Sequence, residues 1–340
     1  MGQLRLMQIL GVVVLFALLL LSTAYGTTSI PTMDVVQAVL LGTGLVEGDM
    51  SPLHRIVYDL RLPRAIFAAV IGAGLGIVGV VLQTTTRNDL ADPFLFGLSS
   101  GAAAGAVFVI TVTGDILGLW TLPLAAFCGG LTASGIVLAL VHGLRTSAPE
   151  KLILAGLAVS FLFAAITNYL IFAGDSRAAH SVIFWMLGGL GLARWEAFPL
   201  VSLGLVLILA YTLIRSRWLD ALLTGDLTAS TLGVPVRRLR LSMFFAAALA
   251  TAVFVSVAGV IGFIGLMVPH IARGIAGPLH RQLIPTAALV GAALLTGSDI
   301  LSRLLLTPQE LPVGIVTTSI GSIFVFLLLY KTSGTRNRTS

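Results

Sequence analysis

Apolar positions in this chain follow neither the two-residue period of strands nor the narrow stripe of a surface helix. They run in blocks of about 20, the length a helix needs to cross a bilayer. Such blocks fall near residues 7–25, 63–84, 95–113, 121–143, 151–173, 196–214, 241–260, 283–301 and 312–331. A tenth, 262–277, is short and reads as broken by Pro269 and His270. It has to cross if the flanking loops are to keep their sides, so the pattern predicts ten spans with both ends on one face. The piece from Val182 to Leu190 is too short to cross and reads as a helix lying at the opposite mouth. One long hydrophilic interruption, Arg215 to Arg240, separates the sixth and seventh spans. It predicts a knob of two small helices, with Asp226 placed as an N-cap, Gly233 ending the first helix and Pro235 in the first turn of the second.

Composition narrows the class. With 57% hydrophobic and 10% charged residues over 340 positions, the chain lies far from the soluble range, where about a quarter of residues are charged. Residues 1–340 therefore read as a single transmembrane domain. The net charge of +6 would suggest nucleic acid in a soluble protein, but here the basic residues sit at segment ends. Placing the N-terminus and the knob inside puts fourteen of twenty Lys and Arg, and five of fourteen Asp and Glu, on the inner face. That face then carries +9 and the outer one −3, the bias expected of cytoplasmic loops. The first 25 residues could pass for a signal peptide but read as a retained span. The single cysteine, Cys128, excludes an intramolecular disulfide.

The chemistry is notable for what it omits. No G-x-x-x-x-G-K-[ST] phosphate loop occurs, so the chain has no Walker site for ATP. All carboxylates fall at or near segment ends, leaving no proton store deep in the bilayer. Span interiors offer only Thr, Ser and a few amides such as Asn168 to line a wet path. Energy for transport must come from elsewhere, or the chain is a passive channel. No two of His54, His142, His180, His270 and His280 have the i, i+4 spacing of a helical metal pair; structural roles fit them, with His180, Met186 and Arg177 the weak candidates for meeting a metal-bearing or anionic cargo. Arg61, Arg64 and Arg303 face outward against the charge rule. Arginine pairs carboxylates in bidentate fashion, so either a docked acidic partner or internal pairing with Asp59, Asp299 or Glu310 would account for them.

Several motifs follow in order: RLPR at 61–64, GAGLGIVGVVLQ at 72–83, NDLADPFLFGLSSGAAAG at 88–105, FWMLGGLG at 184–191, LGVPVRRLR at 232–240, GVIGFIGLMVPHIAR at 259–273, HRQLIPTAALVGAALL at 280–295 and ELPVGIVTTSIG at 310–321. Together they resemble the FecCD family of ABC-importer permeases, from about Arg61 to Lys331. The resemblance implies an all-α polytopic membrane protein with ten transmembrane helices in the type II ABC importer permease fold. It implies a second permease subunit, homo- or heterodimeric, and two cytoplasmic ABC ATPase subunits. ATP and Mg would sit on those subunits, leaving no cofactor in this chain. A periplasmic or lipid-anchored substrate-binding protein would dock outside, with no nucleic acid among the partners. The implied setting is the bacterial inner membrane with both termini cytoplasmic. Iron-siderophore is the expected cargo, haem or cobalamin the alternatives; an ion-coupled secondary transporter and a membrane enzyme are the rivals from other classes.

Site roles follow from the same resemblance. Arg61, Arg64 and Arg303 match arginines that meet acidic residues of the binding protein. Leu219, Asp220, Leu223, Gly225, Asp226, Leu232, Gly233, Val234 and Pro235 match the ATPase-coupling loop. Asn88 and Leu90 match a cytoplasmic gate. Three stretches depart from the pattern: Asp89 replaces the usual proline, Ala148-Pro149-Glu150 occupies the gate's second element, and Gly321-Ser322-Ile323-Phe324 lacks a proline.

Overall fold

The computed structural model describes residues 2–26, 28–143, 149–175 and 178–336. Among them every regular element is helical: α1 Gly2–Ala24, α2 Thr32–Gly42, α3 Leu62–Thr86, α4 Leu98–Phe108, α5 Thr121–Gly143, α6 Pro149–Ala173, α7 Ala179–Met186, α8 Phe198–Ile214, α9 Ser216–Leu223, α10 Asp226–Thr231, α11 Val236–Ala258, α12 Ile264–Ala276, α13 His280–Leu304 and α14 Val313–Arg336. A short turn at Pro52–Arg55 and a π-helical stretch at Ile56–Arg61 lead straight into α3. Seven of the expected spans fall on helices long and apolar enough to cross a bilayer. The expected third, eighth and tenth fall on shorter apolar segments, Leu98–Thr113, Ile264–Ala276 and Val313–Leu328.

The helix α3 is the axis of the bundle. It packs against α13, α12, α11 and α8, while α4, α5 and α6 form a second group joined to it through α11. Lipid tails are as apolar as leucine, so close backbone approach rather than hydrophobic burial must hold such helices together. Glycine supplies it here. Gly72 of α3 and Gly291 of α13 face each other so closely that a Cβ on either would strike the other's carbonyl oxygen, and a Cβ on Gly79 would strike the Gly265 carbonyl of α12. Gly79→Ala is therefore expected to push α3 off α12, at about the 1–3 kcal/mol that overpacking costs. The check is a lowered melting temperature of the detergent-purified chain.

The expected break at Pro269 and His270 lies elsewhere. Pro269 is inside α12, and the chain is interrupted earlier, where Gly259 and Phe263 take left-handed backbone (φ +65 and +66). Proline removes the hydrogen bond to the carbonyl four residues back, here that of Gly265. Gln83 Nε2 of α3 reaches that carbonyl at 3.4 Å and that of Leu266 at 3.2 Å. The neighbouring helix thus repairs the backbone and α12 continues through its proline.

Candidate functional site

The knob is built from α9 and α10, joined at Gly225. Gly225 adopts φ +114, open to glycine alone at low cost, and itself takes the N-cap position. Asp226 is thus the first helical residue of α10 rather than its cap. Its carboxylate is drawn away by Arg240 of α11, whose Nη1 and Nη2 approach it at 3.2 and 3.1 Å. A charge-assisted bidentate pair outweighs a local capping bond. Gly233 (φ +82) follows the end of α10. Pro235 then precedes the long helix α11 instead of opening a second small helix, because the helix that carries the seventh apolar block, 241–260, already begins at Val236.

Within the knob, Leu219 and Val234 pack inward, whereas Leu223 and Leu232 are exposed. Leu227 of α10 is 84% exposed. The knob thus presents three exposed leucines, and Arg217, Arg237 and Arg238 are exposed as well.

Polar ties from this region converge on the last turn of α3, whose final carbonyls have no helical partners. His280, fully buried at the start of α13, meets Asp220 Oδ1 through its backbone N–H (2.8 Å) and its Nδ1 (2.7 Å). Its Nε2 lies 2.8 Å from Thr84 Oγ1. With Nδ1–H donating to the carboxylate, Nε2 accepts from the threonine hydroxyl. Arg240 Nε donates to the Thr85 carbonyl at 2.6 Å. Arg87 donates to the Leu222 carbonyl (3.5 Å) and stands 3.9 Å from Asp226.

Immediately beyond, Arg87 takes left-handed backbone (φ +52) and ends α3. Asn88 Oδ1 accepts the Leu90 N–H at 3.0 Å, closing a tight turn that leaves Leu90 exposed. Asp89, the residue standing where proline is usual, pairs with Arg273 of α12 at 3.3 Å. Arg273 also donates to Gln83 Oε1. The turn is thus held by the knob on one side and by α12 on the other. Of the opposing element, Pro149 and Glu150 open α6, while Ala148 lies outside the described residues, as does Arg177.

At the other end of α3, roughly 37 Å away for 25 residues at 1.5 Å each, the three outward arginines form one cluster. Arg61, 9% exposed, donates to the carbonyls of Thr23, Ala24 and Thr28 at 3.2, 3.0 and 2.7 Å. Arg303, 2% exposed, donates to those of Ser22 and Tyr25 and to the Ser22 hydroxyl. Two arginines thereby cap the C-terminus of α1, satisfying carbonyls that its last turn leaves open. Arg64 pairs with Asp299 (2.9 Å) and Glu310 (2.6 Å), and Asp299 also meets Arg303 at 3.1 Å. Near this end His180 stacks on Phe184, ring centres 4.6 Å apart, and Asn168 is exposed on α6.

Sequence reading passed over Leu227, Thr84, Gln83, Arg273 and the pairing of His280. Only Leu227 left a signal, its spacing of four from Leu223 and five from Leu232 around a predicted turn.

An all-helical bundle of long apolar helices, with a compact knob wired to its central helix, defines a multi-pass membrane permease. The chain belongs to the FecCD transport family, whose model matches residues 14–331. It is 39% identical over 303 residues to the cobalamin import system permease protein BtuC of Halobacterium salinarum, covering 88% of this chain and 79% of that one. It is 35% identical to the hemin transport system permease protein HmuU of Yersinia pestis, covering 92% and 93%. Against the iron-uptake system permease protein FeuC of Bacillus subtilis the identity is 33%, covering 93% and 96%. Its fold superposes on a chain of an ABC transporter assigned to the metal-chelate type, in an inward-facing conformation, with TM-score 0.83, 28% identity and coverage of 96% and 99%. The protein is thus the permease component of an ABC importer, and ATP hydrolysis belongs to a separate ATPase.

Proposed function

We propose that this permease carries a metal chelate across the cytoplasmic membrane, converting ATP-driven motion of two ABC ATPase subunits into alternating access. A second permease subunit completes the path, ten helices of each copy cross the bilayer, and both termini lie in the cytoplasm. The observation that carries this reading is the wiring of the knob. Asp220 and Asp226 hold the last turn of α3 through His280 and Arg240, so a force on α9 and α10 reaches the Asn88–Leu90 turn without crossing a flexible link. The exposed Leu223, Leu227 and Leu232 are the surface an ATPase would grip, because the headgroup region offers them no hydrocarbon.

Iron-siderophore is the first reading of the cargo; similarity to a permease named for cobalamin import, at 39% identity, favours cobalamin as the second. Uptake of labelled ferric siderophore and, separately, of labelled corrinoid into vesicles holding the full transporter tests this, with unlabelled siderophore, haem and corrinoid as competitors. Competition by siderophore alone is the expected result. Uptake of corrinoid with no siderophore competition would reassign the cargo.

A substrate-binding protein docks at the Arg61, Arg64 and Arg303 end. Arg61 and Arg303 are engaged with α1, so Arg64, whose ion pair with Glu310 reaches the surface, is the residue that meets its carboxylates. Arg64→Glu is expected to raise the binding-protein concentration needed to stimulate ATPase activity at least about tenfold, since breaking a desolvated charge pair costs roughly 2–5 kcal/mol. Unchanged stimulation would remove Arg64 from the docking site.

A further inference from the structure

We propose that Glu310 is a resident stand-in for a docking partner's carboxylate, held on Arg64 until an acidic side chain of the partner takes its place. The proposal rests on the docking role given to Arg64 above and adds an exchange step to it. Arg64 and Arg303 pair with the two carboxylates of this cluster, Asp299 and Glu310, while Arg61 is held by main-chain carbonyls, so the three arginines leave one positive charge in excess. The two carboxylates are not equivalent. Asp299 is fully buried and shared by Arg64 and Arg303; taking it away would orphan two desolvated cations, a change that is strongly destabilising. Glu310 is the labile one. Its side chain is 39% exposed against 12% for Arg64, and its bond to Arg64 Nη1, at 2.6 Å, is its one ion pair among the described residues.

An ion pair reached by water contributes little net stability, so replacing Glu310 by another carboxylate conserves both charge and the hydrogen bond on Nη1. The substitution can also stay local. Leu311 N–H remains bonded to the Ser302 carbonyl at 2.9 Å, which keeps the segment between α13 and α14 on its helix while the Glu310 side chain swings away. Leu304, Leu305 and Leu306, exposed four to six residues before it in the chain, would give an incoming partner an apolar margin that dries the new pair and strengthens it. Docking is thereby made competitive: a partner must offer a better-placed carboxylate than the one already there.

The test uses the assembled transporter in nanodiscs, with a fluorescent hexaglutamate peptide as the probe and hexaglutamine as the uncharged control. Glu310→Gln is expected to bind hexaglutamate at least about threefold more tightly than the parent, with the gain lost in the Glu310→Gln, Arg64→Gln double variant. Should Gln disturb the segment, Glu310→Asp, which keeps the charge but shortens its reach to Arg64, is expected to show a smaller gain in the same direction. Affinity unchanged or weakened in both single variants would overturn the exchange. Binding-protein stimulation measured on Arg64→Glu separates the two ideas. Lost stimulation without a gain in Glu310→Gln rejects the exchange and keeps the docking role, whereas intact stimulation rejects the docking role itself.

Discussion

Leu227→Asp is expected to abolish uptake and release the ATPase subunits, while the permease melts as the parent does. Leu227 is 84% exposed and makes no contribution to the core, so the fold has nothing to lose from the change. The contact that the knob is proposed to make does. An unpaired carboxylate buried at an apolar contact costs several kcal/mol, and each 1.4 kcal/mol is about a tenfold change in affinity; a loss of roughly two orders of magnitude in ATPase binding follows. Leu227→Met, which keeps the apolar reach, should assemble and transport. Co-purification and vesicle uptake on the same preparations check both, and full assembly of the Asp variant would show that the patch faces no partner.

Arg240→Ala is expected to separate ATP hydrolysis from transport. This arginine is almost fully buried and ties Asp226 of the knob to the Thr85 carbonyl of α3 with one side chain. Removing it strips the Thr85 carbonyl of its donor and leaves Asp226, a third exposed, to the looser approach of Arg87 at 3.9 Å, cutting one of the two firmest ties between knob and gate turn. The transporter should still assemble through Leu223, Leu227 and Leu232 and still hydrolyse ATP. Uptake per ATP should fall at least about tenfold. Arg240→Lys should restore little, because a single ammonium cannot form the bidentate pair and reach the Thr85 carbonyl together. Hydrolysis and uptake falling in proportion would mean that the arginine supports the fold rather than the transmission.

The membrane architecture was legible because apolar block length is a local property, and the blocks at 7–25, 121–143, 151–173, 196–214 and 283–301 all returned as long helices. The knob was legible as a place, since Arg215 to Arg240 is the long polar interruption, but not in its internal joinery. Asp226 has a capper's chemistry and position; only Arg240, fourteen residues on, reveals that its carboxylate is engaged. Pro269 looked like a break because its repair comes from Gln83, 182 residues away from Gly265 in sequence. The outward arginines left two readings open for the same reason. Arg64 finds Asp299 across 235 residues, and Arg303 finds Ser22 across 281, separations at which spacing carries no information about contact. His280 read as a structural residue like the other histidines, and nothing local distinguishes it from the exposed His270.

The central claim is that knob and gate turn move as one body. Spin labels at Leu223→Cys and Leu90→Cys, in a Cys128→Ser background and diluted with unlabelled permease, measure it directly in the assembled transporter. The account predicts one Leu223–Leu90 distance distribution, the same with and without bound nucleotide, while the Arg240→Ala variant broadens it. A distance that shifts when nucleotide binds to the parent would contradict it, because the knob would then be sliding past the helix end it is supposed to drive.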